Sequence, residues 1–436
     1  MKEDLEYRLE DPEEETPSLE KQNSKKKIII IIIISIIVLI SIGLIIFFVL
    51  RKKGKEDKTE EEQGEKIGEF YFYANISTSD KGYIRNSFKN GSENYIEEIG
   101  DLNNGKDYVE NERDNFDLCI PNKSTKNLTN YKTIFLSIHG GGWIEGIKEN
   151  ALEMCKAYES SGFLIATMSY TLLNGYYKEY NIFRIIDEIT AVLEKLKQFL
   201  INKGYDENKL ELIMQGGSAG AHLSLLYSYM IKNPPIPIKF IVNIVGPVTL
   251  DPDYWLAIKP DEDPLENIEF KDIENAINND KIVQMNGTYN NVSIDNVILV
   301  YFMNSWLGRN GSSDLDEIFS DLNTKEINKT NEKYQELLRK TSYGYPINYV
   351  SKESIPTLCL YGGKDANIGV VHYSKLKEEF NKNDNNNITL VYSRYGNHNI
   401  FDDKSEYGIK ALEQYKKDFI DYCQKYLNSF KYNNES

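Results

Sequence analysis

Leu210-Glu211-Leu212-Ile213-Met214-Gln215 runs into Gly216-Gly217-Ser218-Ala219-Gly220, and a second apolar stretch, Ala221-His222-Leu223-Ser224-Leu225-Leu226, follows at once. The first run reads as a buried strand and the last as a helix, so Ser218 sits where one turns sharply into the other. The small residues have a physical cause. A turn that lifts one side chain clear of a sheet leaves no room for Cβ atoms at its flanks. Ser218 is therefore in a nucleophile position. Upstream lies His139-Gly140-Gly141-Gly142-Trp143, and downstream lie Asp365 and His398. The order serine, acid, histidine is one of the chain orders in which a nucleophile, its orienting carboxylate and its base occur.

Each role follows from the residue type. A serine hydroxyl is a weak nucleophile at neutral pH and needs a base within hydrogen-bond reach, which His398 can supply from the loop after the last strand-like run. Asp365, just past a strand ending at Tyr361, would hold the imidazole in its working tautomer and stabilise its charged form. The N–H groups of Ala219 and of Gly140 or Gly141 would receive the developing oxyanion, and glycine lets the substrate carbonyl come close. The other candidates read differently. His222, four residues past the serine on the same helix, reads as a packing residue. His139 reads as a brace for the glycine loop, and His372 has no partner that the sequence identifies. Asp402 and Asp403 rival Asp365 but lie beyond His398, against the expected order.

The surrounding pattern alternates strand and helix. Residues 133–138, 163–168, 210–214, 240–245, 357–361 and 388–392 are near-continuous apolar runs, as strands covered on both faces require. Between the second and third, Ile182, Ile185, Ile186, Ile189, Val192, Leu193, Leu196, Phe199 and Leu200 recur at helical spacing. This predicts an α/β fold with a doubly wound, mostly parallel sheet and ligands at the carboxyl ends of its strands. Residues 251–345 break the alternation. They are rich in Asn, Asp and Glu, with apolar islands such as Val297-Ile298-Leu299-Val300-Tyr301-Phe302. A segment this long between core strands reads as a lid or cap, the alternative being a surface insertion without a role.

The N-terminal region has a different composition. Ile28–Leu50 is uncharged and apolar, opens with seven isoleucines, and lies between Lys25-Lys26-Lys27 and Arg51-Lys52-Lys53. As a helix it would span roughly 35 Å, enough to cross a bilayer. A cleaved signal peptide is the alternative, but those apolar regions are shorter and end in small residues, whereas this one ends in Phe47-Phe48-Val49-Leu50. The expected organisation is an acidic cytosolic tail (1–27), a transmembrane helix (28–50), a charged stalk (51–67) and a catalytic domain (68–432). Basic residues flank the span on both sides, so the positive-inside rule does not orient it. Ten N-glycosylation sequons do, because all follow the span: those at Asn75, Asn90, Asn122, Asn127, Asn286, Asn291, Asn310, Asn328, Asn387 and Asn434. They predict a single-pass type II protein with its catalytic domain in a lumen or outside the cell.

Composition excludes other classes. A net charge of −16 argues against a nucleic-acid partner. Cys119, Cys155, Cys359 and Cys423 form no C-x-x-C pair, and two of them sit in apolar runs, so buried free thiols are expected rather than a disulfide framework. The histidines, four in all, stand at no metal spacing, and the sequence implies neither a metal nor a cofactor.

His139 to Trp143, Gly217-Ser218-Ala219-Gly220-Ala221-His222-Leu223 and Tyr361-Gly362-Gly363-Lys364-Asp365 together resemble the HGGG-type carboxylesterases and lipases of the α/β-hydrolase superfamily. The likeness covers roughly residues 116–430. Within that group the chain is similar to esterases related to feruloyl and acetyl-xylan esterases, and more distantly to isoprenylcysteine methylesterases. The resemblance implies an α/β-hydrolase fold, an acyl-enzyme formed on Ser218, and a small-molecule, lipid or polysaccharide ester as substrate. Specialised methylesterase, deacetylase or formamidase activity, or a non-catalytic binding module, are the alternatives. One departure bears on the loop after residue 168. These enzymes commonly carry an arginine after the tyrosine, whereas here Thr171 follows Ser169-Tyr170.

Overall fold

In the computed structural model, residues 65–67, 70–77, 115–121, 132–148, 154–156, 163–173, 181–255, 287–289, 292–321, 324–428 and 430 are described. The span expected at 28–50, its tail and most of the stalk lie outside these residues. Among the described residues, no helix is long and apolar enough to cross a membrane.

The six apolar runs all form strands as expected, and further strands stand beside them. In chain order these are β1 (Glu65–Ile67), β2 (Phe70–Ser77), β3 (Asn115–Pro121), β4 (Thr133–Ile138), β5 (Leu164–Met168), β6 (Glu211–Gly217) and β7 (Ile238–Ile244). Two short hairpins follow, β8 (Gly287–Tyr289) with β9 (Val292–Ile294) and β10 (Phe319–Asp321) with β11 (Glu326–Ile327). Then come β12 (Thr357–Gly362) and β13 (Ile388–Ser393). Nine of these strands form one sheet, in the order β1-β2-β3-β5-β4-β6-β7-β12-β13. From β5 to β13 every pairing is parallel, while β1, β2 and β3 extend the sheet antiparallel. β1 falls within the segment that composition assigns to the stalk.

Alternate residues of each central strand enter two separate cores. Ile134, Leu136 and Ile138 of β4 pack on one face, and Phe135 packs on the other. The first face is covered by α1 (Ile182–Asn202) and α2 (Ala219–Met230), the second by a C-terminal helix, Glu406–Tyr426, through Ala411, Tyr415, Tyr422 and Cys423. Burial on both faces is why the strands are uninterrupted apolar runs. α1 starts where Asn181 Oδ1 accepts the N–H groups of Phe183 and Arg184, at 3.0 and 3.3 Å.

The insertion is structured where it is described. Val297 to Phe302 belongs to a helix, α3 (Asn296–Trp306), opened by Asp295 Oδ1 accepting from Val297 N and Ile298 N. Leu299, Val300, Phe302, Met303 and Trp306 join the same core as α1 and α2.

Thr171, which follows Tyr170, is held by buried partners. The Thr171 N–H donates to Glu188 Oε2 at 2.8 Å and its hydroxyl to Oε1, while Arg184 Nε reaches Oε1 at 3.0 Å. Arg184 lies one turn before Glu188 on α1, and both are buried.

The thiol expectation needs correction. Cys119 and Cys155 form a disulfide, their Cα atoms 6.1 Å apart, and Cys359 and Cys423 are the buried free thiols. Burial pushes the Cys359 thiol up to about 12. The bridge spans a separation of 36 residues, so in the chain-entropy account its loss costs about 3–4 kcal/mol. Cys119→Ser with Cys155→Ser is expected to lower the unfolding free energy by about that amount. Denaturant titration of oxidised protein and double variant checks it, and equal midpoints would refute a structural role for the bridge.

Candidate active site

The sheet order sets the location. The connection leaving β4 leads to β5 on one side, and the connection leaving β6 leads to β7 on the other, so the crevice between the carboxyl ends of β4 and β6 is a topological switch point. Register places Ile138 beside Gly216. The glycine loop after β4 and the serine turn after β6 therefore leave the sheet side by side.

Ser218 has φ 54° and ψ −121°, a backbone conformation that side-chain-bearing residues rarely adopt. Its neighbours enforce it. A Cβ on Gly216 would fall on Gly220 and Ala221, and one on Gly220 would fall on the carbonyl of Ile138. The Ser218 N–H donates to Ile244 O at 2.9 Å. Its side chain does not cap α2 and, among the described residues, makes no hydrogen bond.

The expected oxyanion donors flank it. A Cβ at Gly140 would stand 3.4 Å from Ser218 Cβ and 2.9 Å from Gly217 O, so the loop approaches the serine as only glycine allows. Among the described residues no acceptor takes the N–H of Gly140, Gly141 or Ala219. The loop is braced from behind. His139 Nδ1 lies 2.7 Å from Gly140 O, the Tyr170 hydroxyl donates to His139 O and Gly140 O at 3.1 and 3.2 Å, and the His139 and Tyr170 rings stack at 4.0 Å.

Asp365 and His398 are brought together. His398 Nδ1 lies 2.9 Å from Asp365 Oδ2 and 3.1 Å from Oδ1. Asp365 is 1% exposed, and its Oδ1 also accepts from Asn367 N and Ile368 N at 2.8 and 3.0 Å. The loops carrying the pair are laced by Gly363 N donating to Ser393 O and Lys364 N to Gly396 O, both at 2.8 Å. The imidazole is about one third exposed. No hydrogen bond joins His398 to Ser218. The rival acids serve elsewhere: Asp403 accepts from the Ser393 hydroxyl at 2.7 Å, and Asp402 from the Asn399 side-chain amide.

The remaining histidines are buried and neutral. His222, read as packing, also bonds at both nitrogens: Trp143 Nε1 donates to Nδ1 at 3.2 Å, and Nε2 lies 2.8 Å from Gly344 O. His372 Nδ1 accepts from Val248 N at 3.3 Å, and its ring meets Trp255 edge-on at 5.0 Å. A further polar group was not legible. Asn243 Nδ2 donates to the Tyr361 hydroxyl at 3.2 Å while its Oδ1 accepts from Gly246 N at 2.9 Å, which pins the turn after β7 to β12. An isolated Asn within an apolar strand run was the signal for it. Among the described residues no cluster could hold a metal ion.

A family model described as BD-FAE matches residues 116–380. Among solved structures, esterase B from Lactobacillus rhamnosis is 13% identical with TM-score 0.47, over 89% of this chain and 94% of that one. A truncated carbohydrate esterase from gut microbiota is 14% identical with TM-score 0.45, over 83% and 99%. A thermophilic esterase of the planctomycete Thermogutta terrifontis, with butyrate bound, is 13% identical with TM-score 0.43, over 73% and 92%. No curated protein matches the chain.

Burial lowers both His222 and His372 from 6.5 to about 3. Between those values the unfolded chain binds protons that the folded chain does not, so stability is complete above pH 6.5 and falls as pH drops toward 3. The expected loss is about 1.4 kcal/mol per pH unit for each histidine. Denaturant unfolding at stepped pH measures it, and His222→Gln should flatten the slope by about one proton. An unchanged slope in that variant would contradict a buried neutral His222.

Proposed function

The chain belongs to the BD-FAE family of α/β-hydrolase esterases and is a carboxylic-ester hydrolase; from that premise we propose that it cleaves esters through Ser218, His398 and Asp365. The observation that carries this is the buried Asp365 bonded to Nδ1 of a partly exposed His398 at the same sheet edge as the strained Ser218 turn. His398 Nε2 takes the Ser218 proton as Oγ attacks the ester carbonyl. The tetrahedral oxyanion is met by the free N–H groups of Ala219 and of Gly140 or Gly141. Collapse expels the alcohol with the proton returned from His398, and water then releases the acyl group by the same path. The hydrogen bond between Ser218 and His398 forms as substrate closes the site, as such contacts often tighten only in the complex.

The same reading extends to location. Residues 28–50 anchor the enzyme, and the catalytic domain faces a lumen or the cell exterior. The Cys119–Cys155 bridge supports this, since disulfides persist in oxidising compartments. Three described sequon residues, Asn310, Asn328 and Asn387, are exposed.

A fluorophosphonate should label the protein, and Ser218→Ala should abolish labelling and ester hydrolysis. Asp365→Asn should lower kcat by roughly 10⁴-fold with folding intact, as loss of the orienting acid does elsewhere. Labelling that survives Ser218→Ala would remove the serine from its role, and near-normal turnover in Asp365→Asn would remove the acid. For topology, endoglycosidase should reduce the apparent mass of protein from its own cells, and protease added to sealed microsomes should trim only the tail before Ile28. Complete digestion of the domain without a glycan shift would reverse the orientation.

A further inference from the structure

His222 lies on the serine helix, yet its two ring nitrogens reach parts of the chain far from it in sequence. Because Trp143 Nε1–H can only donate, His222 Nδ1 must accept, and Nε2 therefore carries the proton and donates to Gly344 O. One neutral tautomer satisfies both bonds. Trp143 closes the glycine loop that carries Gly140 and Gly141, and Gly344 stands at the C-terminal root of the insertion. An aromatic cluster wraps the joint. The Trp306 ring of α3 lies 4.6 Å from the His222 ring and 4.9 Å from that of Trp143, and Phe302 lies 5.5 Å from Trp143. Trp143, His222 and Trp306 are at most 2% exposed.

Gly141 and Gly142 take φ 105° and 55° freely, but Trp143 has φ 63°, which a residue with a Cβ holds only where its surroundings enforce it. The loop's anchors include the His139–Tyr170 brace on one side, Leu173 N donating to Trp143 O at 2.8 Å, and the Trp143 side chain on His222. The side-chain bond ties the loop to the helix that begins at the nucleophile, and so fixes the distance between the two halves of the oxyanion site.

We propose that His222 is a positioning residue for ester hydrolysis: it registers the glycine-loop donors against Ser218 and locks both to the root of the insertion, which is thereby a fixed wall of the site at that end. This rests on the reading of Ser218 as nucleophile and of Gly140, Gly141 and Ala219 as oxyanion donors. Donors displaced by even 1 Å lose transition-state stabilisation while ground-state binding persists.

The test is steady-state hydrolysis of a p-nitrophenyl ester by the full chain and by His222→Phe, His222→Gln, Trp143→Phe and the double variant His222→Phe with Trp143→Phe, with Ser218→Ala run alongside. His222→Phe keeps the aromatic packing and removes both bonds. It should lower kcat by about 100-fold with KM nearly unchanged. Glutamine can both accept from Trp143 and donate to Gly344, so it should recover most of the loss. Trp143→Phe, which keeps His222 on Gly344, should mimic His222→Phe, and the double variant should be little worse than either single one. Wild-type kcat in His222→Phe, a loss confined to KM, or fully additive losses would each overturn the inference while Ser218→Ala stays inactive. Activity retained in Ser218→Ala would instead remove the serine reading and this inference with it. Should His222→Phe fail to fold, Trp143→Phe and His222→Gln decide the question by the same criteria.

Discussion

The constraint on which the site depends is the backbone of Ser218. A residue with a Cβ at φ 54° and ψ −121° costs on the order of 1–3 kcal/mol and persists only where its surroundings leave no alternative. Here they leave none. Gly216, two residues before the serine, packs on the helix that follows it, and Gly220 packs on the end of β4. The amide is held by Ile244 at the end of β7. Three adjacent strands therefore have to be in register before the hydroxyl stands clear of the sheet. The fold and the turn that carries the proposed nucleophile are the same problem solved once.

Around that turn, buried polar groups carry the positioning. Asn243 and Tyr361 join β7 to β12 beneath the Asp365 loop, Glu188 gathers Thr171 and Arg184 behind the glycine loop, and His222 joins the loop to the insertion. A buried polar group left unpaired costs more than a paired one contributes, so such networks favour one arrangement over its near neighbours. His398, the proposed base, is the exception, a third exposed where His222 and His372 are sealed. That difference separates an imidazole open to protons and substrate from the two buried ones that serve as struts.

Much of this was legible in the sequence, for identifiable reasons. The six central strands are buried on both faces, so each wrote itself as an unbroken apolar run, and their boundaries moved by at most a few residues. The serine turn was legible because Gly216 is required by contacts within the motif itself, with Gly220 and Ala221. What was not legible depends on contacts across long separations. Cys119 in an apolar run gave no hint of Cys155, since the bridge depends on how the chain between them returns. His222 was placed on the correct helix, but Trp143 and Gly344 reach it from opposite ends of the domain's sequence. Val297 to Phe302 has no polar spacing, so periodicity could not tell strand from helix, and Asp295 at its start decides.

The distribution of sulfur also orders events during synthesis. The oxidised pair lies in the first part of the domain, on β3 and just ahead of β5, while the two thiols sit on β12 and on the C-terminal helix. A chain emerging from its N-terminus can close the bridge before either competitor for it exists. Cys359 and Cys423 are themselves buried in the finished fold, and burial keeps the Cys359 thiol from ionising. Vectorial emergence thus acts as a proofreader of pairing, which an equal number of cysteines in reversed order would not enjoy.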